Sequence, residues 1–214
     1  MERRKFIKAA AGTGLWLCSG ADRSFGSFAF QDTANVSRVE ARYYKKHPDR
    51  EIECTLCPRL CRLGDKERGY CGVRENDGGT YYTLVYGRAC TANVDPIEKK
   101  PFYHFLPGTN AFSIATAGCN VNCKFCQNWQ ISQVRAEQID HFDFPAPAVA
   151  ASAQKYGCPS IAYTYTEPVV FFEYMYDASL EARKREIRNC VVTAGHISPE
   201  PLLDLLRVVD AVKI

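Results

Sequence analysis

Gly118-Cys119-Asn120-Val121-Asn122-Cys123-Lys124-Phe125-Cys126 is the stretch on which the reading of this chain turns. It follows an apolar run over 112–117 that predicts a buried strand ending at the cysteine loop. The spacing is C-x3-C-x2-C, with an aromatic residue just before the last cysteine. Three thiolates on one short loop can hold three irons of a four-iron cubane, leaving the fourth iron open to a small molecule. An open metal position goes with chemistry, whereas a closed shell goes with structure or electron transfer. The competing readings are a structural zinc site with a distant fourth ligand, or chance in a cysteine-rich chain. Zinc sites usually pair C-x2-C units, which this loop does not do.

Downstream of the loop, helix and strand alternate. A helix is expected over 147–156, opened by Pro147. A second strand follows over 160–166. Next comes a helix over 168–185 with an apolar face through Val169, Phe172, Met175, Tyr176 and Leu180. A third strand is expected over 189–194. Ser198 then caps a helix started by Pro199 and buried through Leu202, Leu203, Leu205, Leu206 and Val209. A fourth strand begins at 211. This alternation predicts an α/β fold, a parallel sheet with helices outside and functional groups at the C-terminal strand ends. The cysteine loop follows the first strand and Thr166-Glu167-Pro168 the second. Thr193 and His196 end the third and face the same mouth. An apolar strand at the last residues reads as a core that is C-terminally incomplete.

Upstream, Cys54, Cys57, Cys61 and Cys71 form a second group, C-x2-C-x3-C-x9-C. Four thiolates this close make a closed shell, for which tetrahedral zinc and a second iron–sulfur cluster are both reasonable. A metal there would staple a module too small to bury its own core. An auxiliary cluster relaying electrons or touching substrate is the alternative. Gly78-Gly79 signals a turn before a strand over 81–86. The organisation expected is a leader over 1–30, a linker over 31–50, a cysteine-rich module with strands over 51–110, and the α/β core over 111–214. Arg3-Arg4-Lys5-Phe6-Ile7-Lys8 reads as a twin-arginine export signal, followed by an apolar stretch too short for a permanent membrane span.

The 214 residues are 46% hydrophobic, enough for a core, and carry a net charge of +3. No basic run with interleaved aromatics implies nucleic acid. The 11 cysteines are odd in number and clustered, which argues for metal rather than a disulfide framework. Cys158 and Cys190, in apolar surroundings, read as small core residues. His104 lies among aromatics, where a histidine is more often a satisfied core residue.

With these residues in view, the chain resembles the radical S-adenosylmethionine superfamily. Within it the chain is similar to the radical enzyme of the AmmeMemoRadiSam system, a relative of the activating enzymes of glycyl-radical enzymes such as that of pyruvate formate-lyase. The likeness rests on the cysteine loop, residues 93–108, residues 126–132, and Tyr165-Thr166-Glu167-Pro168. It implies a partial parallel (β/α) barrel and a [4Fe–4S] cluster on Cys119, Cys123 and Cys126. It also implies S-adenosylmethionine on the open iron, cleaved reductively to methionine and a 5′-deoxyadenosyl radical that abstracts hydrogen from a protein or small-molecule substrate. Phe125 would pack on the adenine, or instead fill the loop's own core. Glu167, with Thr166 beside it, would meet the cofactor's α-ammonium, or instead cap the helix opening at Pro168. Val192-Thr193-Ala194-Gly195-His196 departs from the relatives' pattern of Asn before the Gly and Tyr after it, so contacts carried by that Asn do not transfer. An electron donor of flavodoxin or ferredoxin type and companion proteins of the same system are the implied partners. The cofactor favours the cytoplasm, against the export signal. Two other readings stand beside this one: a non-catalytic iron–sulfur, zinc or electron-transfer protein, and a degenerate product without stable activity.

Overall fold

The fold is built on a five-stranded sheet whose buried central strands leave no room for polar alternation. A computed structural model describes residues 36–214. The twin-arginine motif and Cys18 lie outside the described residues. In chain order the strands are β1 (Val39–Glu40), β2 (Tyr44–Lys46), β3 (Ile52–Cys54), β4 (Arg62–Leu63), β5 (Arg74–Asp77), β6 (Thr80–Thr83), β7 (Arg88–Ala89), β8 (Thr91–Pro96), β9 (Asn110–Ala115), β10 (Phe142–Asp143), β11 (Ser160–Tyr163), β12 (Arg188–Val192) and β13 (Ala211–Lys213). The main sheet has the order β13-β12-β11-β9-β8. Neighbours among β9, β11, β12 and β13 are parallel, while β8 runs antiparallel to β9. All of β11, and β9 after Asn110, is buried, as strands covered on both faces must be. The helices Ala146–Lys155 and Phe172–Arg183 pack on each other and against this sheet.

The parallel alternation stands as expected, with shorter elements. The strands expected to reach 166 and 194 stop at Tyr163 and Val192. Tyr165 takes a left-handed φ of 67° and Gly195 one of 70°, which break the extended run. The helix expected from 168 opens as a 3-10 turn, Pro168–Phe171, before the α-helix begins at Phe172. Leu180, Leu203 and Leu206 are exposed, so the buried faces are narrower than their leucines suggest. Ser198 holds the N-cap position with no side-chain cap hydrogen bond. β8 was not foreseen: Pro96 argues against a strand interior, and here it is the last residue of an edge strand.

Upstream, β2, β3 and β4 form a small antiparallel sheet, and Cys54, Cys57 and Cys61 lie at the end of β3 and in the β3–β4 connection. Residues 36–50 are part of this body and not a free linker, since β1 pairs with β6 and Ala41 and Tyr43 are buried. Gly78 and Gly79 make the two-residue turn between β5 and β6, both at positive φ. The strand expected over 81–86 ends at Thr83, and Leu84 and Val85 drop into the core.

One clamp ties the upstream sheets to each other and a second ties them to the α/β core. Buried Asn76 donates from Nδ2 to the carbonyls of Arg50, Leu63 and Gly64. Arg74, almost wholly buried, donates from Nε to the Val170 carbonyl at 3.0 Å and pairs through both terminal nitrogens with buried Glu173. Glu173 also accepts from the Arg42 backbone N–H at 2.9 Å. A buried charge of this kind tolerates the loss of its partner poorly. Glu173→Ala is therefore expected to cost about 3 to 5 kcal/mol in urea unfolding. A cost below about 1 kcal/mol, the size of a surface pair, would contradict this account.

Candidate active site

The loop after β9 carries the C-x3-C-x2-C cysteines to the C-terminal edge of the parallel strands. Gly118 opens it at a φ of 91°, where an added Cβ would meet Val73 at 2.6 Å and the Cys71 carbonyl at 2.7 Å. Only a residue without a side chain passes here. Cys119 and Cys126 are half-buried and Cys123 is exposed, and every cysteine among the described residues is a free thiol. The Val121 N–H donates to Cys119 Sγ at 3.3 Å, and Cys126 Sγ lies 3.2 Å from Ser132 Oγ. Burial pushes the Cys119 thiol up, opposed by the Val121 N–H.

All three cysteines border one open cavity of about 640 Å³, which is also lined by Thr166, Glu167, Thr193 and Ala194 from the next two strand ends. Glu167 is buried and its carboxylate is held from three sides. Oε1 accepts from the Val169 N–H at 3.2 Å and the Thr193 hydroxyl at 2.6 Å, and Oε2 accepts from the Ala194 N–H at 2.8 Å. The capping expectation for Glu167 is thus met, and one lone pair on Oε2 remains free for a further donor. Burial raises its pKa, against these three donors. Thr166 commits its hydroxyl to the Thr116 carbonyl at 3.0 Å. Phe125 is 91% exposed, so it does not fill a core of the loop. His196 has its carbonyl bound by Asn120 Nδ2 at 2.8 Å. His104 is exposed, contrary to the core reading, whereas Cys158 and Cys190 are buried as expected.

Lys99, Lys100 and Tyr165 give the same cavity a wall to which the sequence reading assigned no role. Buried Lys100 donates to Asp95 Oδ2 at 2.7 Å and contacts the Tyr165 hydroxyl at 3.0 Å. Tyr165 donates to the same Asp95 oxygen at 2.5 Å, and Lys99 donates to Oδ1 at 2.7 Å. The backbone carbonyl of Tyr165 accepts from Asn128 Nδ2 at 2.8 Å, which ties this wall to the end of the cysteine loop. The spacing of Asp95 to Lys99 and Lys100 was the available signal. Nothing local shows that Tyr165, seventy residues away, closes the group.

The second group, Cys54, Cys57, Cys61 and Cys71, lines a separate small cavity of about 20 Å³ with Arg59, Arg74, Tyr81 and Asn120. Burial pushes the Cys71 thiol up to about 12 and raises Cys54, while the Arg74 guanidinium pulls both the other way. The Tyr81 hydroxyl hydrogen-bonds Cys54. Among the described residues, no three of His, Cys, Asp and Glu are drawn together tightly enough to hold a single metal ion. The donor chemistry nonetheless fits. Both groups are free thiols around a cavity, neither has an acid among its lining at the thiols apart from Glu167, and the second is flanked by a buried cation that suits a tetrathiolate's negative charge.

Residues 113–214 match the family model of the Radical SAM superfamily. Over 175 residues, 82% of this chain, the sequence is 45% identical to the uncharacterized protein MJ0808 of Methanocaldococcus jannaschii, of which it covers 52%. Over 82 residues, 38% of this chain, it is 32% identical to the uncharacterized protein MJ0674 of the same organism, of which it covers 19%. The chain thus spans about half the length of the first of these relatives. No solved structure matches it.

Asp95 supplies a pH test of the wall. Burial raises its pKa, but hydrogen bonds from Lys100, Lys99 and Tyr165 prevail and hold it at about 2, below the ordinary 3.8. A depressed folded pKa gives stability that is complete above the unfolded value and is lost as pH falls through the folded one. Asp95→Asn, which leaves Lys100 buried without its anion, is expected to cost about 3 kcal/mol near neutrality. That difference from wild type should shrink as pH drops from about 5 toward about 2 in unfolding titrations. A difference that does not vary with pH would refute the wall as described.

Proposed function

We propose that this chain, with a Radical SAM superfamily domain at residues 113–214, is a radical S-adenosylmethionine enzyme of the AmmeMemoRadiSam type, related to glycyl-radical activases. The reading rests on one observation above the rest. The three cysteines of the loop after β9 share a single cavity with Glu167 and Thr193 from the neighbouring strand ends. Cys119, Cys123 and Cys126 are the ligands of a [4Fe–4S] cluster. The cluster, when bound with S-adenosylmethionine, supplies reductive cleavage of the sulfonium to methionine and a 5′-deoxyadenosyl radical that takes hydrogen from the substrate.

The residues of this chain have defined tasks in that reading. Glu167 offers the free lone pair of Oε2 to the cofactor's α-ammonium, and Thr193 and the Ala194 N–H hold the carboxylate in place. Thr166 fixes the strand end through Thr116. Phe125, unburied on the loop, is free to cover the adenine ring. Asn128 holds the Tyr165 carbonyl, so that the cysteine loop and the Asp95–Lys100–Tyr165 wall keep one spacing. The main sheet, parallel but for β8, supports a partial barrel as the framework.

Cys54, Cys57, Cys61 and Cys71 hold a second metal, zinc or an iron–sulfur cluster, that braces the upstream module. A flavodoxin- or ferredoxin-type protein supplies the electron, and the substrate is a protein or small molecule presented with companion proteins of the system. Among the described residues, no helix is long and apolar enough to cross a membrane. S-adenosylmethionine and low-potential electrons favour the cytoplasm as the place of action.

The decisive experiment reconstitutes the cluster anaerobically, adds S-adenosylmethionine and a strong reductant, and measures 5′-deoxyadenosine by chromatography. Formation is expected in the wild type, and loss to background in Cys119→Ala, Cys123→Ala and Cys126→Ala. A cluster that forms normally with no cleavage would overturn the enzymatic reading in favour of an electron-transfer protein. Glu167→Gln is expected to keep its iron content while binding S-adenosylmethionine about tenfold more weakly in equilibrium titrations.

A further inference from the structure

The cysteine-rich module grips the cysteine loop from behind, on either side of Cys119. On one side Gly118 lies against the backbone of Cys71 and the side chain of Val73, so closely that no Cβ fits. On the other side Asn120 is buried, and its carbonyl accepts from Arg59 Nε at 2.6 Å. Asn120 also lines the cavity bounded by Cys54, Cys57, Cys61 and Cys71, and its Oδ1 is buried without a hydrogen-bond partner. Its Nδ2 extends the connection to the His196 carbonyl, beyond β12. The Leu56 carbonyl, inside the C-x2-C segment, accepts from the Ser198 N–H at 3.0 Å.

Arg59 itself has little apolar anchorage. Pro58, Arg59 and Leu60 are all exposed, and Leu60 holds a left-handed φ of 47°. The guanidinium rests on the Tyr70 ring at 3.4 Å from its centroid, and Tyr70 directly precedes Cys71. The turn carrying Arg59 is bounded by Cys57 and Cys61, and its ring partner by Cys71. Ordering an exposed turn costs conformational entropy, which a metal bound at its two ends would remove beforehand.

Resting on the reading of these four cysteines as metal ligands, we infer that the module is a clamp that sets the shape of the radical-forming loop, with Arg59 as the positioning residue that transmits it through Asn120. The metal at Cys54, Cys57, Cys61 and Cys71 then acts on the chemistry without touching substrate. It fixes the two residues that flank Cys119, and through Asn120 and Ser198 it steadies the segment after β12 that supports Glu167.

The test uses the full chain, reconstituted anaerobically with iron and sulfide, as wild type, Arg59→Ala, Arg59→Lys and the double variant Cys57→Ala/Cys61→Ala. Three quantities are read: metal per chain, the paramagnetic resonance spectrum of the reduced cluster with and without S-adenosylmethionine, and the affinity for S-adenosylmethionine. Arg59→Ala is expected to keep the module's metal but to alter the spectrum and weaken cofactor binding about three- to tenfold, the scale of one ordinary hydrogen bond. Arg59→Lys should recover part of this loss. The double variant should show the same spectral change with the module's metal gone. An unaltered spectrum and affinity in Arg59→Ala, even with a lowered melting temperature, would overturn the clamp while leaving the metal site standing. A double variant with a normal spectrum that is reduced by dithionite but no longer by flavodoxin would assign the module to electron relay and also overturn the clamp. A wild-type chain with no metal beyond the loop's cluster would remove the underlying reading and the clamp together.

Discussion

One buried guanidinium holds the molecule's two parts in register. Arg74 leaves β5, passes the thiols of Cys54 and Cys71, and ends on the Val170 carbonyl and the Glu173 carboxylate of the α/β core. Desolvating such a charge is costly, so the arrangement persists only while each of its partners is in place. Glu173 is secured in turn by the Arg42 backbone, and the same helix receives Tyr86 and Arg42 on Asp177. Tyr43 meets Phe172 edge-on at 5.0 Å and donates to Asp204 on the last helix. The upstream segment is thereby fastened to two helices of the core.

This fastening explains why the module and the loop share surfaces. Two sets of thiols in one small protein would ordinarily belong to separate lobes. Here a glycine and an asparagine separate them, and either side depends on the other for its backbone contacts. Arg74 also lies beside one set as a compensating positive charge, which is the usual service of an outer partner to anionic ligands.

The features legible in the sequence were those written in local chemistry. The cysteine spacing, the apolar run over 112–117 and the alternation after it led to four parallel strands in the expected order, because buried strands and amphipathic helices carry their period in a few consecutive residues. Gly78-Gly79 read as a turn for the same reason. What stayed hidden depended on distance. Nothing near Arg74 in the sequence points to Glu173, ninety-nine positions later, which comes opposite it in the fold. Asp95, Lys100 and Tyr165 form one group only once β8 pairs with β9 and β11 joins it. The leucines of the last helix misled in the opposite sense, since hydrophobicity marks what can be buried and not what is.

Tyr165 has a last consequence. Its backbone is held in a left-handed twist, its carbonyl is tethered at one end and its phenol at the other, so this rim of the mouth behaves as a fixed jaw. The Ala194–Gly195 segment, though exposed, is tethered too: the Ala194 N–H donates to Glu167 at 2.8 Å and the Gly195 N–H to the Thr193 hydroxyl oxygen at 3.0 Å. A molecule that enters here meets two braced edges, so the width of the opening is set before it arrives.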